Sequence, residues 1–196
     1  MENSVNDYPV DIPPLAARAQ ARAEEVDFHL SCNHQTGALL RTLAASKPGG
    51  RILEVGTGVG VGAAWLLAGM DAEAGLVTIE IHPEAADISR EMLGDDDRAD
   101  VISADAVDWL TAYNGPPFDL IFVDTTILKF ERRDLLVANL APGGLFVADD
   151  LRPQEAWTER HHALVPQFLR EIVMEPNLVV TLMDWASGVT VAARRS

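Results

Sequence analysis

Short apolar runs alternate with amphipathic stretches along most of the chain, and this alternation predicts strands and helices in turn. The apolar runs are rich in Val, Ile, Leu and Phe, which is typical of strands buried on both faces. They predict strands at residues 52–55, 76–81, 101–103, 118–124, 145–149, 178–183 and 188–193. The other segments predict helices at 12–30, from 33 up to Lys47, 61–68, from 83, 105–113, 130–140 and 154–174.

Five consecutive strand–helix alternations favour an α/β fold with a doubly wound, parallel sheet, because parallel strands need crossover helices on the sheet faces. The link at residues 184–187 is too short for a crossover, so it predicts a hairpin with one antiparallel strand. Residues 1–196 are expected to form one domain. Residues 1–32 would form an N-terminal arm and helix, and residues 33–196 the core.

The composition is that of a globular protein, with 48% hydrophobic residues among 196 and a formal net charge of −15. Lys and Arg residues are scattered, so nucleic acid is a disfavoured partner. Apolar runs are too short to span a bilayer, and residues 1–14 do not resemble a secretory signal. The single cysteine, Cys32, rules out an internal disulfide and is typical of a reducing cytoplasm.

The stretch RILEVGTGVGVGAAWLLAGM, residues 51–70, joins a strand, a glycine turn and a helix. Such a turn lets bare backbone approach a nucleotide-type ligand at the helix N-terminus. Counted from Gly56 the pattern is GxGxG, because Val61 stands where dinucleotide-binding dehydrogenases have a third glycine. Glu54, near the end of the strand, would repel a pyrophosphate and attract an amino group and a sulfonium. The turn therefore favours a cationic adenosyl ligand over a dinucleotide.

Two acids follow the second and third strands. Glu80 ends the second strand, where a carboxylate can accept both ribose hydroxyls, with a solvated strand-end acid as the alternative. Asp105 follows the third strand, where it could meet an adenine amino group, cap the next helix, or do both. With the adjacent Ile81 and Ala104, these acids predict an adenosine site.

Three aspartates end the next two strands: Asp124 the fourth, and Asp149 and Asp150 the fifth. Adjacent parallel strands bring their carboxyl ends to one edge, where open α/β sheets bind ligands. Three unpaired carboxylates would repel each other there unless a hard cation lies among them, and oxygen-only ligation suits Mg²⁺. The alternative is that Asp124 and Asp150 are only N-caps of the helices that follow.

These features resemble the class I S-adenosylmethionine-dependent methyltransferases, and specifically the cation-dependent O-methyltransferases of the catechol and caffeoyl-CoA type. The resemblance covers residues from about 33 to 194, and EVGTGVGVG at 54–62 is similar to the family's first motif. It implies a Rossmann-like, seven-stranded, mostly parallel sheet whose antiparallel last strand is inserted beside the fifth. It also implies S-adenosylmethionine as the cofactor, with Glu54 at its methionine portion and Glu80 at its ribose.

The resemblance extends the predicted cofactor contacts along the turn and the preceding helix. The predicted cofactor-binding residues are Glu54, Gly56, Thr57, Gly58, Gly60, Gly62, Glu80, Ile81, Ala104, Asp105, Asp124 and Thr36. His34 is a further candidate, because residues 33–40 resemble a helix that helps to cover the cofactor in these enzymes. The family often has serine at the position of Gly62, so one contact to the cofactor carboxylate is expected to be missing.

The resemblance also supports a metal site, since the family ligates Mg²⁺ through an Asp after the fourth strand and an Asp-Asn pair after the fifth. Asp124 and Asp149 match these positions, and Asp150 stands where asparagine is usual. The implied chemistry is an in-line attack of a substrate oxygen on the sulfonium methyl, with Mg²⁺ chelating two vicinal oxygens.

The general base is where the sequence departs from the family. The lysine often found three residues after the metal aspartate is replaced by Ile127. Lys129 is the predicted base, with a solvated surface lysine as the alternative, and metal activation alone could suffice. His161 and His162, in the predicted helix at 154–174, are further candidates.

The sequence therefore predicts a cytoplasmic O-methyltransferase for a small, phenolic, catechol-like substrate, with Lys129 and Asp124 as catalytic residues. Trp157 and Trp185 could wall the pocket of a flat aromatic substrate or belong to the core. Two alternative functions stay open: methylation of a modified tRNA base, and cofactor binding without catalysis. A homodimer is expected from the apolar N-terminal helices and from related enzymes.

Overall fold

The computed structural model describes residues 10–155 and 157–196 and contains a seven-stranded sheet with helices on both faces. The strands are β1 Arg51–Val55, β2 Gly75–Glu80, β3 Ala99–Ser103, β4 Phe118–Val123, β5 Leu140–Ala148, β6 Leu178–Met183 and β7 Val189–Arg194. Their order across the sheet is β3-β2-β1-β4-β5-β7-β6. Strand β7 pairs antiparallel with both β5 and β6, and the other pairs are parallel. The predicted fold class is confirmed, including the antiparallel last strand beside the fifth.

The helices lie in two layers. They are α1 Pro14–Glu25, α2 His34–Ala45, α3 Val61–Gly69, α4 Pro83–Leu93, α5 Ala106–Ala112, α6 Arg133–Ala138 and α7 Glu159–Ile172, with a π turn at Ile127–Glu131. Apolar side chains of α1 to α4 belong to one core layer, and those of α5 to α7 to the other. Strand residues alternate between the layers: Ile52 lies in the first and Leu53 in the second. In the described part of the chain, no helix has the length and apolarity needed to cross a membrane.

Local sequence sets the starts of several helices. Asn33 accepts the main-chain N–H three residues on at 2.9 Å and begins α2. Asp105 accepts two main-chain N–H groups at the start of α5. Pro14 and Pro83 lie in the first turns of α1 and α4, where a missing N–H leaves no helical bond unmade. The predicted starts of α2, α4 and α5 are confirmed.

Strand β5 is longer than predicted. It begins at Leu140 rather than at 145, because the chain keeps pairing with β4 through a register shift. The Pro142-Gly143-Gly144 segment is therefore an irregularity within the strand. The first helix is shorter than the predicted 12–30, and residues 1–9 of the predicted arm lie outside the described residues.

Two later helices also differ from the prediction. Helix α7 begins at Glu159 rather than at 154, because Thr158 caps it by accepting the His161 N–H at 3.2 Å. The predicted helix at 130–140 is instead the π turn followed by the short helix α6. Both changes lie in segments that border the carboxyl edge of the sheet.

The strand order decides which residues meet at that edge. Strand β4 lies between β1 and β5, with Val123 aligned to Val55 on one side and Ala148 on the other. The residues that follow these strand ends therefore leave the sheet side by side. The fold places the glycine turn after β1 next to the aspartates that follow β4 and β5.

The close contact between α2 and α3 depends on Gly37. A Cβ at this position would overlap the indole ring of Trp65, which is fully buried in α3. We expect Gly37→Ala to lower the free energy of unfolding by about 1–3 kcal/mol, the usual cost of overpacking a core. Urea titration measures the difference. Gly75→Ala is the control, since nothing lies within 4 Å of its added Cβ, and an equal loss there would contradict the packing argument.

Candidate active site

The glycine turn begins where β1 and β4 separate. The Gly56 N–H donates to the Ile79 carbonyl at 2.9 Å, while the Asp124 N–H donates to the Val55 carbonyl at 2.8 Å. Gly56 has a φ of 94°, and a Cβ there would lie 2.7 Å from the Asp124 carbonyl oxygen. Glycine suits both this left-handed backbone and this close approach. The turn therefore brings bare backbone to the carboxyl edge of the sheet.

Glu80 fixes the shape of the turn. It is buried, and its two carboxylate oxygens accept the N–H groups of Gly58 at 2.8 Å and His82 at 2.9 Å. Each oxygen keeps a second lone pair, so a ligand hydroxyl can still donate to it. The alternative of a solvated strand-end acid is wrong, because this carboxylate is enclosed and hydrogen-bonded.

Glu54 lies beneath the turn and is 1% exposed. The Thr78 hydroxyl donates to Glu54 Oε2 at 2.5 Å, and the Thr57 hydroxyl lies 2.5 Å from that of Thr78. Burial raises the pKa of Glu54 to about 8; Asp124 and Glu80 add to the rise, and the Thr78 hydrogen bond opposes it. The carboxyl therefore holds a proton at neutral pH unless a cation enters beside it.

Gly62 leaves the space that the Glu54 carboxyl occupies. A Cβ at position 62 would overlap Glu54 Oε1. The serine that the family resemblance leads us to expect there would displace this carboxyl. The conformation of Glu54 is therefore a physical reason for glycine at this position.

Two adjoining cavities open beside the turn. The first has a volume of about 330 Å³ and is walled by the turn and its buried acids. The second, about 240 Å³, lies beyond the end of β2 and is walled mainly by apolar residues. The predicted cofactor-binding residues that line one or both are Glu54, Gly56, Thr57, Gly58, Gly62, Glu80, Ile81, Ala104, Asp105 and Asp124. The structure thus brings most of the predicted set to one connected space.

Three other candidates lie away from these cavities. Thr36 is fully buried in α2, and its hydroxyl has no hydrogen-bond partner within the described ranges. Gly60, with a φ of 95°, begins α3 beneath the turn. His34 packs against Trp65, with ring centroids 6.0 Å apart. None of the three lines either cavity, so their contact with a cofactor stays a prediction that this geometry does not support.

Phe28 is a cavity residue that the sequence pattern does not indicate. It follows α1 and lines the first cavity, where a Cβ on Gly58 would lie 2.7 Å from its ring. Leu30 and Ile81, on the same cavity, are 79% and 55% exposed. Phe28 covers the glycine turn from a distant part of the chain, so the spacing of residues around the turn does not predict this contact. A bound ligand would cover the exposed apolar side chains.

The three predicted metal ligands come together at the carboxyl edge. One carboxylate oxygen from each of Asp124, Asp149 and Asp150 lies within 4.8 Å of the other two. Asp149 is 1% exposed, and its Oδ1 has no hydrogen-bond partner among the described residues. Asp150 has a left-handed φ of 56° and accepts from Gln154 Nε2 at 2.8 Å. An orphaned buried oxygen in an all-oxygen set fits a hard divalent cation.

Burial makes these acids hold protons more tightly. Desolvation raises the pKa of Asp124 to about 6, against the opposing charge of Lys129 and with an added contribution from Asp150. Desolvation, then the Asp124 charge, raises the pKa of Asp149 well above its usual range. The N-cap alternative is wrong for Asp124 and Asp150, because threonines occupy the cap positions of the next helical segments.

Lys129 is buried against these aspartates. Its side chain is 2% exposed, and its Nζ donates to the Asp149 main-chain oxygen at 2.7 Å and lies 3.9 Å from Asp124 Oδ1. The π turn explains this position: the Arg132 N–H bonds to the Ile127 carbonyl, and the wider turn changes the phase of the side chains. Ile127 is consequently 50% exposed. The surface-lysine alternative is wrong, and the role of Lys129 as a base stays a prediction.

A third cavity, of about 510 Å³, adjoins the first. Asp124 and Cys32 line both cavities. Trp157 and His161 wall the third cavity, with ring centroids 4.4 Å apart. Burial lowers the pKa of His161, which favours the neutral imidazole. The cavity therefore has an acidic, oxygen-rich floor and a flat aromatic wall.

The two tryptophans have different positions. Trp157 lies on the third cavity, as predicted for a pocket wall. Trp185 instead packs against the core, and its Nε1 donates to the Gln35 main-chain oxygen at 3.1 Å. His162 is exposed and packs on the Trp157 ring at 5.2 Å, and it does not line this cavity.

The raised pKa of Glu54 predicts a pH-dependent stability. Because the folded protein holds this proton more tightly than the unfolded chain, its contribution is lost as pH rises from about 4.5 to about 8. We therefore expect the free energy of unfolding in metal-free buffer to fall over this interval, by at most about 1.4 kcal/mol per pH unit for one group. Urea titrations at several pH values measure the slope. Glu54→Gln should flatten it, and an unchanged slope would show that Glu54 ionises normally.

Comparison with known proteins agrees with this geometry. Residues 53–151 match the family model described as a methyltransferase domain. The catechol O-methyltransferase of Mycobacterium tuberculosis is 35% identical over 154 residues, which cover 71% of this chain and 70% of that protein.

Solved structures share the fold. The O-methyltransferase TomG from Streptomyces achromogenes, involved in tomaymycin synthesis and solved with SAM, has a TM-score of 0.81 at 22% identity, covering 95% of this chain and 92% of that one. The O-methyltransferase from Bacillus cereus, solved with SAH, has a TM-score of 0.83 at 21% identity, covering 97% and 95%. The chain belongs to the class I S-adenosylmethionine-dependent methyltransferases, among the O-methyltransferases of the catechol and caffeoyl-CoA type.

Proposed function

We propose that this O-methyltransferase transfers the methyl group of S-adenosylmethionine to a hydroxyl of a small, catechol-like acceptor held with a divalent cation beside the three aspartates. The observation that carries the proposal is the position of Asp124 in the walls of both the first and the third cavity. A cofactor along the glycine turn would reach the carboxylate that also lines the acceptor cavity. Donor and acceptor could therefore meet there, as a direct transfer requires.

The first two cavities suit the chemistry of the cofactor. Glu54 would accept from the ammonium of the methionine portion, and a cation beside it would favour the ionised carboxylate. Glu80 would accept the ribose hydroxyls on the lone pairs that the turn leaves free. The mostly apolar second cavity, with Ile81 and Ala104 in its walls and Asp105 at its rim, would hold the adenine.

The charge of the third cavity favours a neutral or cationic acceptor. Among the described residues that line it, Lys129 is the one Lys or Arg, and its ammonium is turned to the aspartates. The phosphates of an acyl-CoA acceptor would meet Asp124 and Asp150 and no free cation in these walls. A free phenol against Trp157 and His161 is therefore the better fit.

The divalent cation would be held by Asp124, Asp149 and Asp150. Such an ion would contact two vicinal oxygens of the acceptor and lower the pKa of the acceptor hydroxyl. In the transfer, the acceptor oxygen bonds to the methyl carbon and the S–CH₃ bond breaks. The bonding electrons pass to sulfur, and the sulfonium becomes a neutral thioether. The hydroxyl proton leaves to solvent. Asp124 would orient both partners from the wall that their cavities share.

The two alternative functions are less well supported. A tRNA substrate would need a basic surface, and the chain carries a net charge of −15. A protein that only binds the cofactor would not need the third cavity or the buried aspartates beside it. The predicted homodimer stays a prediction.

The cofactor assignment has a direct test. We expect isothermal titration calorimetry to detect binding of S-adenosylhomocysteine and no binding of NADH. Glu80→Ala should weaken binding at least tenfold, because the ribose loses its acceptor and the N–H groups of Gly58 and His82 lose theirs. Glu91→Ala, on the exposed side of α4, is the matched control. Binding of NADH instead would overturn the assignment.

The acceptor assignment is tested by turnover on a panel of catechols and simple phenols. We expect methylation of catechols with Mg²⁺, a fall of at least tenfold in EDTA, and recovery when Mg²⁺ is restored. Asp149→Asn should lower turnover by a similar factor, while Asp108→Asn, on the exposed side of α5, should not. Methylation of undermodified tRNA without any catechol would favour the nucleic-acid alternative. Cofactor binding with no methylation of either substrate would favour loss of catalysis.

A further inference from the structure

Lys129 is a buried amine within the aspartate cluster. Its Nζ lies 3.9 Å from Asp124 Oδ1, and its side chain is 2% exposed. Lysine is almost never buried this deeply unless its charge is paired. The groups that surround it are the same carboxyl groups that would hold a divalent ion.

The main chain fixes the position of this amine. Nζ donates to the main-chain oxygen of Asp149 at 2.7 Å, so the lysine is tied to the segment that carries two of the three aspartates. The ring centroid of Phe130 lies 5.7 Å from Nζ. The π turn delivers the side chain to this place. Lys129 is therefore a fixed part of the cluster rather than a mobile side chain near it.

We propose that Lys129 is a built-in cation of the acceptor site. It supplies part of the positive charge that a divalent ion would supply, so the aspartates bind such ions weakly and slow methyl transfer persists without them. The slow metal-free transfer rests on the proposed function, whereas the weak binding of divalent ions concerns the aspartate cluster alone.

Two physical effects lead to these consequences. A positive charge this close to Asp124 repels a second cation, and the repulsion is strong where water is excluded. Lys129 also lines the third cavity. An ammonium has three donors, and the bond to the Asp149 oxygen uses one of them. The remaining donors can stabilise the negative charge on an acceptor oxygen as it loses its proton.

Titration of the whole, metal-free protein with Mg²⁺ by calorimetry tests the first consequence, with Mn²⁺ monitored by electron paramagnetic resonance as a second probe. Lys129→Met and Lys129→Gln remove the charge, and the glutamine keeps a donor for the Asp149 oxygen. Lys129→Arg keeps the charge. We expect both neutral variants to bind Mg²⁺ at least tenfold more tightly than the natural protein, and the arginine variant to bind it equally. Equal affinity in all four proteins, or no binding by any, overturns the proposal.

Turnover of the natural protein after metal removal is a second measurement and needs no variant. We expect a slow residual rate that Lys129→Gln lowers about 10²-fold or more, since one well-placed donor commonly contributes about 10²–10³ to a rate. Complete absence of this residual rate from the natural protein overturns the proposal. Failure of the proposed function is distinguishable: no catechol would be methylated even with Mg²⁺, while the Mg²⁺ affinities would still decide the role of Lys129.

Discussion

The candidate active site depends above all on one feature: acidic side chains are buried at the carboxyl edge of the sheet. Glu54 and Asp149 are each 1% exposed, Glu80 is 6% exposed, and Asp124 lies between them. Burying a carboxylate is costly unless it is paired or hydrogen-bonded. Within the described residues the pairing is uneven, because Glu80 takes two amides, Glu54 one hydroxyl, and Asp149 Oδ1 no partner. Cationic ligands would pair with these buried carboxylates, so the fold itself favours their binding.

The same residue type serves different ends because each acid meets a different environment. Each Glu80 oxygen accepts one main-chain N–H and keeps a lone pair for a ligand, so Glu80 is part of the scaffold as well as a ligand contact. In the part of the chain that the structure describes, Glu54 has one hydroxyl donor, that of Thr78, and no amide, so its ionisation follows the arrival of a positive charge. Asp124 lies where the two cavities adjoin. The order of strands β2, β1, β4 and β5 imposes these differences, since each acid lies at or just after the carboxyl end of a different strand.

The sheet and the meeting of the acids could be predicted from the sequence, because the central apolar runs are buried on both faces and each acid ends or follows such a run. To predict that the three aspartates are neighbours, only the strand order of the family was needed in addition. The burial of Lys129 could not be predicted in this way, since it depends on a π turn in place of an α turn. Local spacing does not indicate Phe28 as a cavity residue or the full burial of Thr36, because both depend on how α1 and α2 pack.

The acid and the amine that depart from the family pattern belong together. Asp150 adds a negative charge where the resemblance leads one to expect asparagine, and Lys129 adds a positive charge to the same cluster. The positive charge of Lys129 offsets the negative charge that Asp150 adds, so the cluster contains a fixed cation of its own. An ammonium cannot hold two vicinal oxygens at set angles as a metal ion does. Contacts with the cavity walls, where Trp157 and His161 lie, would then determine which of two vicinal hydroxyls is methylated.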